Sequence, residues 1–183
     1  GKTMALQNIA LTSNLPILLF EMELPDTLTF ERFCGMATKR SGANVFQTYS
    51  GKETVGWRQE KQMENIHVCV ESRLTPPDIE RIINGAAIKT GTKPVVVMVD
   101  YVQLIRGSGK SRYENMSMVA EELKVIAKVT QTIIIVASQI HRKEGVEISL
   151  HDGKDSGSIE NSSGLVLGAW RDEDDGNRMI IKV

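Results

Sequence analysis

The sequence has few aromatic residues and few cysteines. Aromatic side chains make up 5% of the 183 residues, so aliphatic side chains must fill most of any core. Cys34 and Cys69 form no C-x-x-C pair and have no histidine at ligand spacing. This spacing argues against a structural zinc site and against a disulfide framework. We therefore expect reduced cysteines in an intracellular protein.

Long apolar runs and an excess of positive charge are also missing. No run approaches the roughly 20 apolar residues that a membrane span needs, so we expect no membrane partner. The formal net charge of −1 argues against a globally basic coat for nucleic acid but permits a local basic lining. The length and the apolar content of 41% predict one compact, soluble, cytoplasmic domain with a substantial core.

Apolar periodicity predicts helices that alternate with strands. Uniformly apolar runs with a polar exit, such as PVVVMVD, are typical of strands buried on both faces. We predict polar or flexible connectors at 41–52 and 140–163. The alternation indicates parallel βαβ units, so the predicted fold class is α/β, with one doubly wound, mainly parallel sheet flanked by helices. The predicted helices are 4–13, 26–39, 53–64, 76–90 and 113–130, and the predicted strands are 17–23, 66–71, 94–100, 132–138, 165–170 and 178–183.

Polar side chains follow three of the predicted strands. Glu23, Asp100 and Gln139 stand at these exits, while Lys2 and Thr3 begin a helix that should face the same edge of the sheet. Each residue alone has an ordinary explanation, such as a solvated turn or a helix cap. Together they supply a cation for phosphates, magnesium ligands, a carboxylate to activate water and a γ-phosphate sensor. The set favours a nucleoside triphosphate hydrolase.

The opening GKT matches the last three letters of the phosphate loop G-x-x-x-x-G-K-[ST]. A second G-K-S ends the stretch 106–111, but Leu104 stands where its first glycine should be, so a mobile basic loop suits it better. A third candidate has Glu53 in place of Ser or Thr. We therefore expect the phosphate loop to begin before residue 1.

Four blocks carry a resemblance to a known family: FEMELPDTLTFER, VVVMVDYVQLI, VASQIHR and DGKDSGSIE. In this order they closely resemble the ATPase domain of DnaB-type replicative helicases, a RecA-like P-loop NTPase. The resemblance implies ATP and Mg²⁺ as cofactors, single-stranded DNA as a partner and a homo-oligomeric, hexameric ring. It also implies a place at the replication fork of a bacterial or phage-infected cell. Primase and a helicase loader would bind through regions not in this chain.

The resemblance assigns roles to the five residues at the sheet edge. Lys2 and Thr3 match the lysine and the magnesium-binding threonine of the phosphate loop. Glu23 matches the catalytic glutamate that activates water. Asp100 matches the magnesium-associated aspartate, and Gln139 matches the glutamine that senses the γ-phosphate and couples it to DNA.

Five further residues receive roles by the same resemblance. Arg32 matches an arginine that packs against the nucleotide base, and Lys182 matches the lysine companion of a trans-acting arginine finger. Lys154, Asp155 and Gly157 match a channel loop that contacts DNA phosphates, although Lys154 stands where arginine is usual. Independently of the resemblance, a lysine beside glycines suits a phosphate ligand, because the lysine offers a positive charge and the glycines expose backbone amides. We expect residues 1–183 to be a single domain trimmed at both ends, with the finger after 183.

Other interpretations remain open at this point. A RecA-like recombinase or DNA-repair ATPase would share the fold and the nucleotide site. A RecA-fold assembly protein could use ATP as an oligomerisation signal without moving on DNA, and a catalytically dead loader or structural ring is a further alternative. The blocks DYVQLI and SGSIE favour the helicase.

Overall fold

The computed structural model describes residues 2–48, 50, 61–139, 156–172 and 178–183. Most of the predicted helix at 53–64 lies outside these residues, as do Lys154 and Asp155. None of the described helices is both long and apolar enough to cross a membrane.

A four-stranded parallel sheet forms the centre of the domain, with the strands in the order β2 (Ile66–Cys69), β1 (Ile17–Glu21), β3 (Val96–Asp100) and β4 (Ile133–Val136). The crossovers that this order requires are helical, which confirms the predicted α/β class with a mainly parallel, doubly wound sheet. The last two strands pair with each other in a second, antiparallel sheet, so the prediction of one sheet for all the strands is wrong. The strands are β1 Ile17–Glu21, β2 Ile66–Cys69, β3 Val96–Asp100, β4 Ile133–Val136, β5 Gly168–Arg171 and β6 Met179–Lys182. The helices are α1 Lys2–Ser13, α2 Asp26–Thr38, α3 Gly42–Gln47, α4 Pro76–Thr90, α5 Arg112–Thr130 and α6 Ser156–Ser162, with a 3₁₀ turn at Val102–Leu104.

Apolar clusters cover both faces of the central strands, because successive side chains of β1 and β3 point to opposite sides. Helices α4 and α5 pack on one face and helices α1 and α2 on the other. Every residue of β1 and β3 is buried, which explains their uninterrupted apolar sequence. The first cluster includes Leu18, Phe20, Val97, Val99, Ile79, Ile83, Val119 and Leu123, and the second includes Ile17, Leu19, Val96, Met98, Leu6, Ala10 and Phe33.

The ends of α4 follow the predicted signals. The Thr75 hydroxyl accepts from the Asp78 backbone N–H, and the Asp78 carboxylate accepts from the Thr75 N–H at 3.0 Å, a reciprocal capping box. Gly91 ends the helix with φ +71°, a left-handed conformation that favours glycine. The prediction of Thr75 as N-cap and Gly91 as the stop is confirmed.

Two predicted connectors are partly helical. Helix α3 occupies 42–47 inside the predicted polar connector, where Val45 is buried. Helix α6 occupies 156–162 inside the predicted flexible segment, where Ile159 packs against the α4–α5 side of the core and the helix contacts α5. Val45 is buried and Ile159 is half-buried, and one such residue in a short segment gives no detectable period, so packing rather than sequence pattern specifies each helix.

Candidate functional site

The carboxyl ends of β1 and β3 lie at the edge where the predicted site residues meet. Glu21 and Asp100 end the two strands and are partners in the parallel register. The Met22 backbone N–H donates to the Asp100 carbonyl at 3.2 Å, which keeps the strands joined up to this edge. Glu23 follows just beyond β1, and its side chain is exposed to solvent. Glu23 and Asp100 therefore lie at one edge, with Glu23 on the solvent side.

The first turn of α1 lies at the same edge. The Nζ atom of Lys2 is 5.6 Å from the centroid of the Tyr101 ring, and Tyr101 directly follows Asp100. This distance is within the range of a cation–π contact and holds the exposed lysine near the end of β3. Thr3 follows Lys2 on the helix and is half-buried. The helix N-terminus adds backbone N–H groups and a partial positive charge, which suit a phosphate group.

Gln103 joins the exit of β3 to the exit of β4. Its side-chain Nε2 donates to the Ser138 hydroxyl at 2.8 Å and to the Gln139 carbonyl at 3.4 Å. Its Oε1 accepts from the Gln139 backbone N–H at 3.2 Å. The side chain of Gln139 is exposed while its backbone is held by these bonds. Any movement of Gln139 is therefore coupled to the turn that follows Asp100.

Two buried carboxyl groups at this edge fit a divalent cation. Asp100 is 1% exposed, and neither of its carboxylate oxygens has a hydrogen-bond partner among the described residues. Glu21 is 0% exposed, and its Oε2 has none. Burial first, and the neighbouring Asp100 second, raise the pKa of Glu21 above its ordinary value. Buried oxygens without donors are costly unless a cation compensates them, and carboxylate oxygens are the ligands that Mg²⁺ prefers.

The other predicted site residues that the structure describes lie on α2, α6 and β6. Arg32 is half-buried on α2, and Lys182 ends β6 in the two-stranded sheet. Gly157 is exposed, but it lies in helix α6 and not in a loop, so the predicted loop conformation is wrong at this residue. Lys154 and Asp155 lie outside the described residues. Their roles stay predictions.

Two residues of this edge were not predicted as site residues. Glu21 lies inside the predicted strand 17–23, and the structure keeps it in the sheet and fully buried. The alternation of side chains along β1 could have indicated its position, because it places Glu21 on the same face as Asp100 once the register of the two strands is known. Gln103 lies in the DYVQLI block, and a contact 36 residues along the chain cannot be read from a single sequence.

The second G-K-S of the sequence has a structural use. The backbone N–H groups of Lys110 and Ser111 donate to the Glu114 carboxylate at 2.9 and 3.3 Å. The Ser111 hydroxyl accepts from the Glu114 N–H, which completes a capping box at the start of α5. These amides are already bonded, so this stretch does not cradle a phosphate in this conformation.

The parallel sheet, the lysine at the start of α1 and the acidic strand ends are typical of RecA-like domains of the P-loop class. The family profile "DnaB-like helicase C terminal domain" matches residues 1–180, and the chain belongs to this family. The replicative DNA helicase DnaB of Haemophilus influenzae is 28% identical over 179 residues, covering 91% of this chain and 38% of that protein. The replicative DNA helicase DnaC of Bacillus subtilis is 35% identical over 85 residues, which is 43% of this chain and 19% of that protein.

Solved structures show the same fold. One of them, described as an ATPase domain, superposes with a TM-score of 0.78 at 19% identity, over 94% of this chain and 66% of that one. A DnaB-like replicative helicase, described together with its interactions with primase, superposes with a TM-score of 0.71 at 19% identity, over 88% of this chain and 42% of that one. The chain thus spans little more than a third of the length of the DnaB relative from Haemophilus.

Proposed function

We propose that this chain is the motor domain of an ATP-dependent replicative DNA helicase. In this function ATP is hydrolysed at the subunit interfaces of a ring, and the ring translocates on single-stranded DNA to unwind duplex. The observation that carries the proposal is the match of residues 1–180 to the helicase C-terminal domain family. The polar residues gathered at the carboxyl ends of β1, β3 and β4 support it, since this is where open parallel sheets bind ligands.

Each residue has a separate role in hydrolysis, which follows from its position. Lys2 binds the terminal phosphates from the start of α1. Glu23 is exposed beyond β1, where its carboxylate can accept a proton from an attacking water. Thr3 and Asp100 would hold Mg²⁺, which neutralises phosphate charge when it is bound. Gln139 senses the γ-phosphate, and Gln103 holds its backbone in place.

The finer parts of the proposal concern DNA and neighbouring subunits. Lys154, Asp155 and Gly157 contact the phosphates of single-stranded DNA, and a basic lining of this kind positions a strand without reading its sequence. Arg32 packs on the nucleotide base, and Lys182 acts beside a finger residue at the interface. In the complete protein we propose a cytoplasmic homohexamer that engages primase and a loader through other regions.

Unwinding of a forked duplex by the complete protein, with ATP and Mg²⁺, tests the function. Strand separation that requires hydrolysable ATP is the expected result. If DNA stimulates hydrolysis but no strand separates, a recombinase or DNA-repair ATPase is the better account. If DNA leaves hydrolysis unchanged, the protein is an ATP-switched assembly factor and the motor proposal fails.

The Gln103→Ala variant tests the link between the β3 and β4 exits. It removes the hydrogen bonds that hold Ser138 and Gln139, so the γ-phosphate sensor loses its fixed position. We expect DNA-stimulated kcat to fall about tenfold or more, since misplacing a catalytic group by about 1 Å can cost about 100-fold. The KM for ATP should change little, because Gln103 has no role in phosphate binding.

The matched control for this variant is Gln47→Ala on α3, where the glutamine is exposed. Steady-state hydrolysis with and without single-stranded DNA measures both variants. Full DNA stimulation in Gln103→Ala would show that the link does not transmit the signal.

A further inference from the structure

Glu21 lies on the face of the sheet that carries the nucleotide site. In β1 and β3, Ile17, Leu19, Val96 and Met98 pack on the side covered by α1 and α2. Because side chains alternate along a strand, Glu21 and its register partner Asp100 project to that same side. This is the side on which α1 brings Lys2 to the end of β3.

The backbone holds the Glu21 carboxylate in one orientation. Its Oε1 accepts from the N–H groups of Glu23 and Leu24 at 3.2 and 3.1 Å. These two bonds fix the carboxylate by one oxygen, and no described residue donates to the buried Oε2. With the two oxygens of Asp100, three buried carboxylate oxygens at neighbouring positions lack partners among the described residues. Two neighbouring acidic groups with donors to only one of their four oxygens need a cation to be stable in their ionised form.

The ligand set restricts which cation fits. Both groups offer oxygen only, which suits Mg²⁺ or Mn²⁺ and not the softer metals that prefer thiolate or imidazole. In the described part of the chain no cluster of three or more His, Cys, Asp or Glu could hold a metal by itself. Mg²⁺ sites that use one or two carboxylates complete their coordination with water and substrate phosphates. A pair of carboxylates is therefore a suitable protein contribution.

We infer that Glu21 is a second carboxylate of the divalent-cation site, acting beside Asp100. The inference rests on the proposed nucleotide site at this edge and adds a residue that the resemblance does not assign. With a second carboxylate the protein retains the cation before nucleotide arrives, because the charge of the pair attracts it without help from phosphates.

Binding of Mn²⁺ to the complete protein without nucleotide tests the inference. Free Mn²⁺ is measured by electron paramagnetic resonance for the parent protein and for Glu21→Gln, Asp100→Asn and Glu71→Gln. Glu71 is the matched control, since it is exposed and lies beyond the end of β2 as Glu23 lies beyond β1. We expect Glu21→Gln and Asp100→Asn each to weaken Mn²⁺ binding about tenfold or more, as loss of groups around a metal generally does, and Glu71→Gln to leave it unchanged.

Thermal unfolding gives a second readout that requires no activity. A cation that binds only the folded state raises the melting temperature, so Mn²⁺ should stabilise the parent protein more than the Glu21→Gln variant. The glutamine is close in shape to glutamate, and Glu21→Ser serves as the second variant if Glu21→Gln does not fold.

The outcomes separate the inference from the function on which it rests. Unchanged Mn²⁺ affinity in Glu21→Gln together with weakened binding in Asp100→Asn overturns the role of Glu21 alone. Unchanged affinity in Asp100→Asn overturns the cation site itself. Weakened binding in both variants supports the inference even if the protein proves not to unwind DNA.

Discussion

Replacing Glu23 with Gln is expected to lower the rate of ATP hydrolysis by roughly 10²- to 10⁴-fold, the usual contribution of a general base. The amide keeps the size and the hydrogen-bonding position of the side chain but cannot accept the proton of an attacking water. Nucleotide affinity should stay within about twofold of the parent value, because the phosphate-binding residues remain in place. Stability should also be unaffected, since the side chain is exposed and surface substitutions generally cost little.

Glu71→Gln is the matched control for this variant. Glu71 is an exposed glutamate just past the end of the neighbouring strand β2, so the same substitution is made in a similar position without the predicted role. Hydrolysis rates and binding of a fluorescent nucleotide analogue are compared for both variants. Undiminished hydrolysis in Glu23→Gln would refute the assignment of the base, and a loss in Glu71→Gln would show that the assay reports a general effect of the substitution.

Replacing Lys2 with Ala is expected to lower turnover by roughly 10²- to 10³-fold, as removal of one charge-stabilising donor does. Nucleotide binding should weaken about 10- to 100-fold, because a hydrogen bond to a charged group contributes about 1.5–3 kcal/mol. The ammonium group is the partner of the terminal phosphates, and alanine leaves their charge unpaired. Both quantities are measured in the complete protein with ATP and Mg²⁺.

Lys110→Ala provides an internal comparison, because Lys110 also stands in a G-K-S sequence. Its backbone N–H is bonded to Glu114 at the start of α5, and its side chain is exposed. We expect this variant to bind and hydrolyse ATP as the parent does. The opposite pattern, with Lys110→Ala impaired and Lys2→Ala active, would show that the phosphate site lies at the start of α5 and not at the start of α1.

The predicted elements that agree with the structure share a strong local signal. Strand β3 is five apolar or acidic residues buried on both faces, and helix α4 has a capping box at one end and Gly91 at the other. Signals of this kind are complete within a window of roughly 5 to 18 residues, so neighbours along the chain suffice to specify the structure. Helices α3 and α6 lack such signals, and tertiary contacts stabilise them, since Val45 is buried and Ile159 packs against the core.

Some residues of the candidate site could likewise be predicted from the sequence, and others could not. Residue type and position after an apolar run pointed to Glu23, Asp100 and Gln139 at one edge. The burial of Glu21 and the bond between Gln103 and Gln139 could not be predicted, because each depends on which strands are neighbours and in which register. A shift of one residue along β1 would turn Glu21 to the opposite face and separate it from Asp100.

The sequence by itself determined the α/β alternation, the apolar central strands and the family resemblance, because these follow from the order and polarity of residues along the chain. Tertiary structure alone decided that two carboxyl groups share a buried place at the ends of β1 and β3, and that Lys2 lies over Tyr101 beside them. The physical reason is that the free energy of a buried charge depends on its neighbours in space, and pairing of distant strands chooses those neighbours.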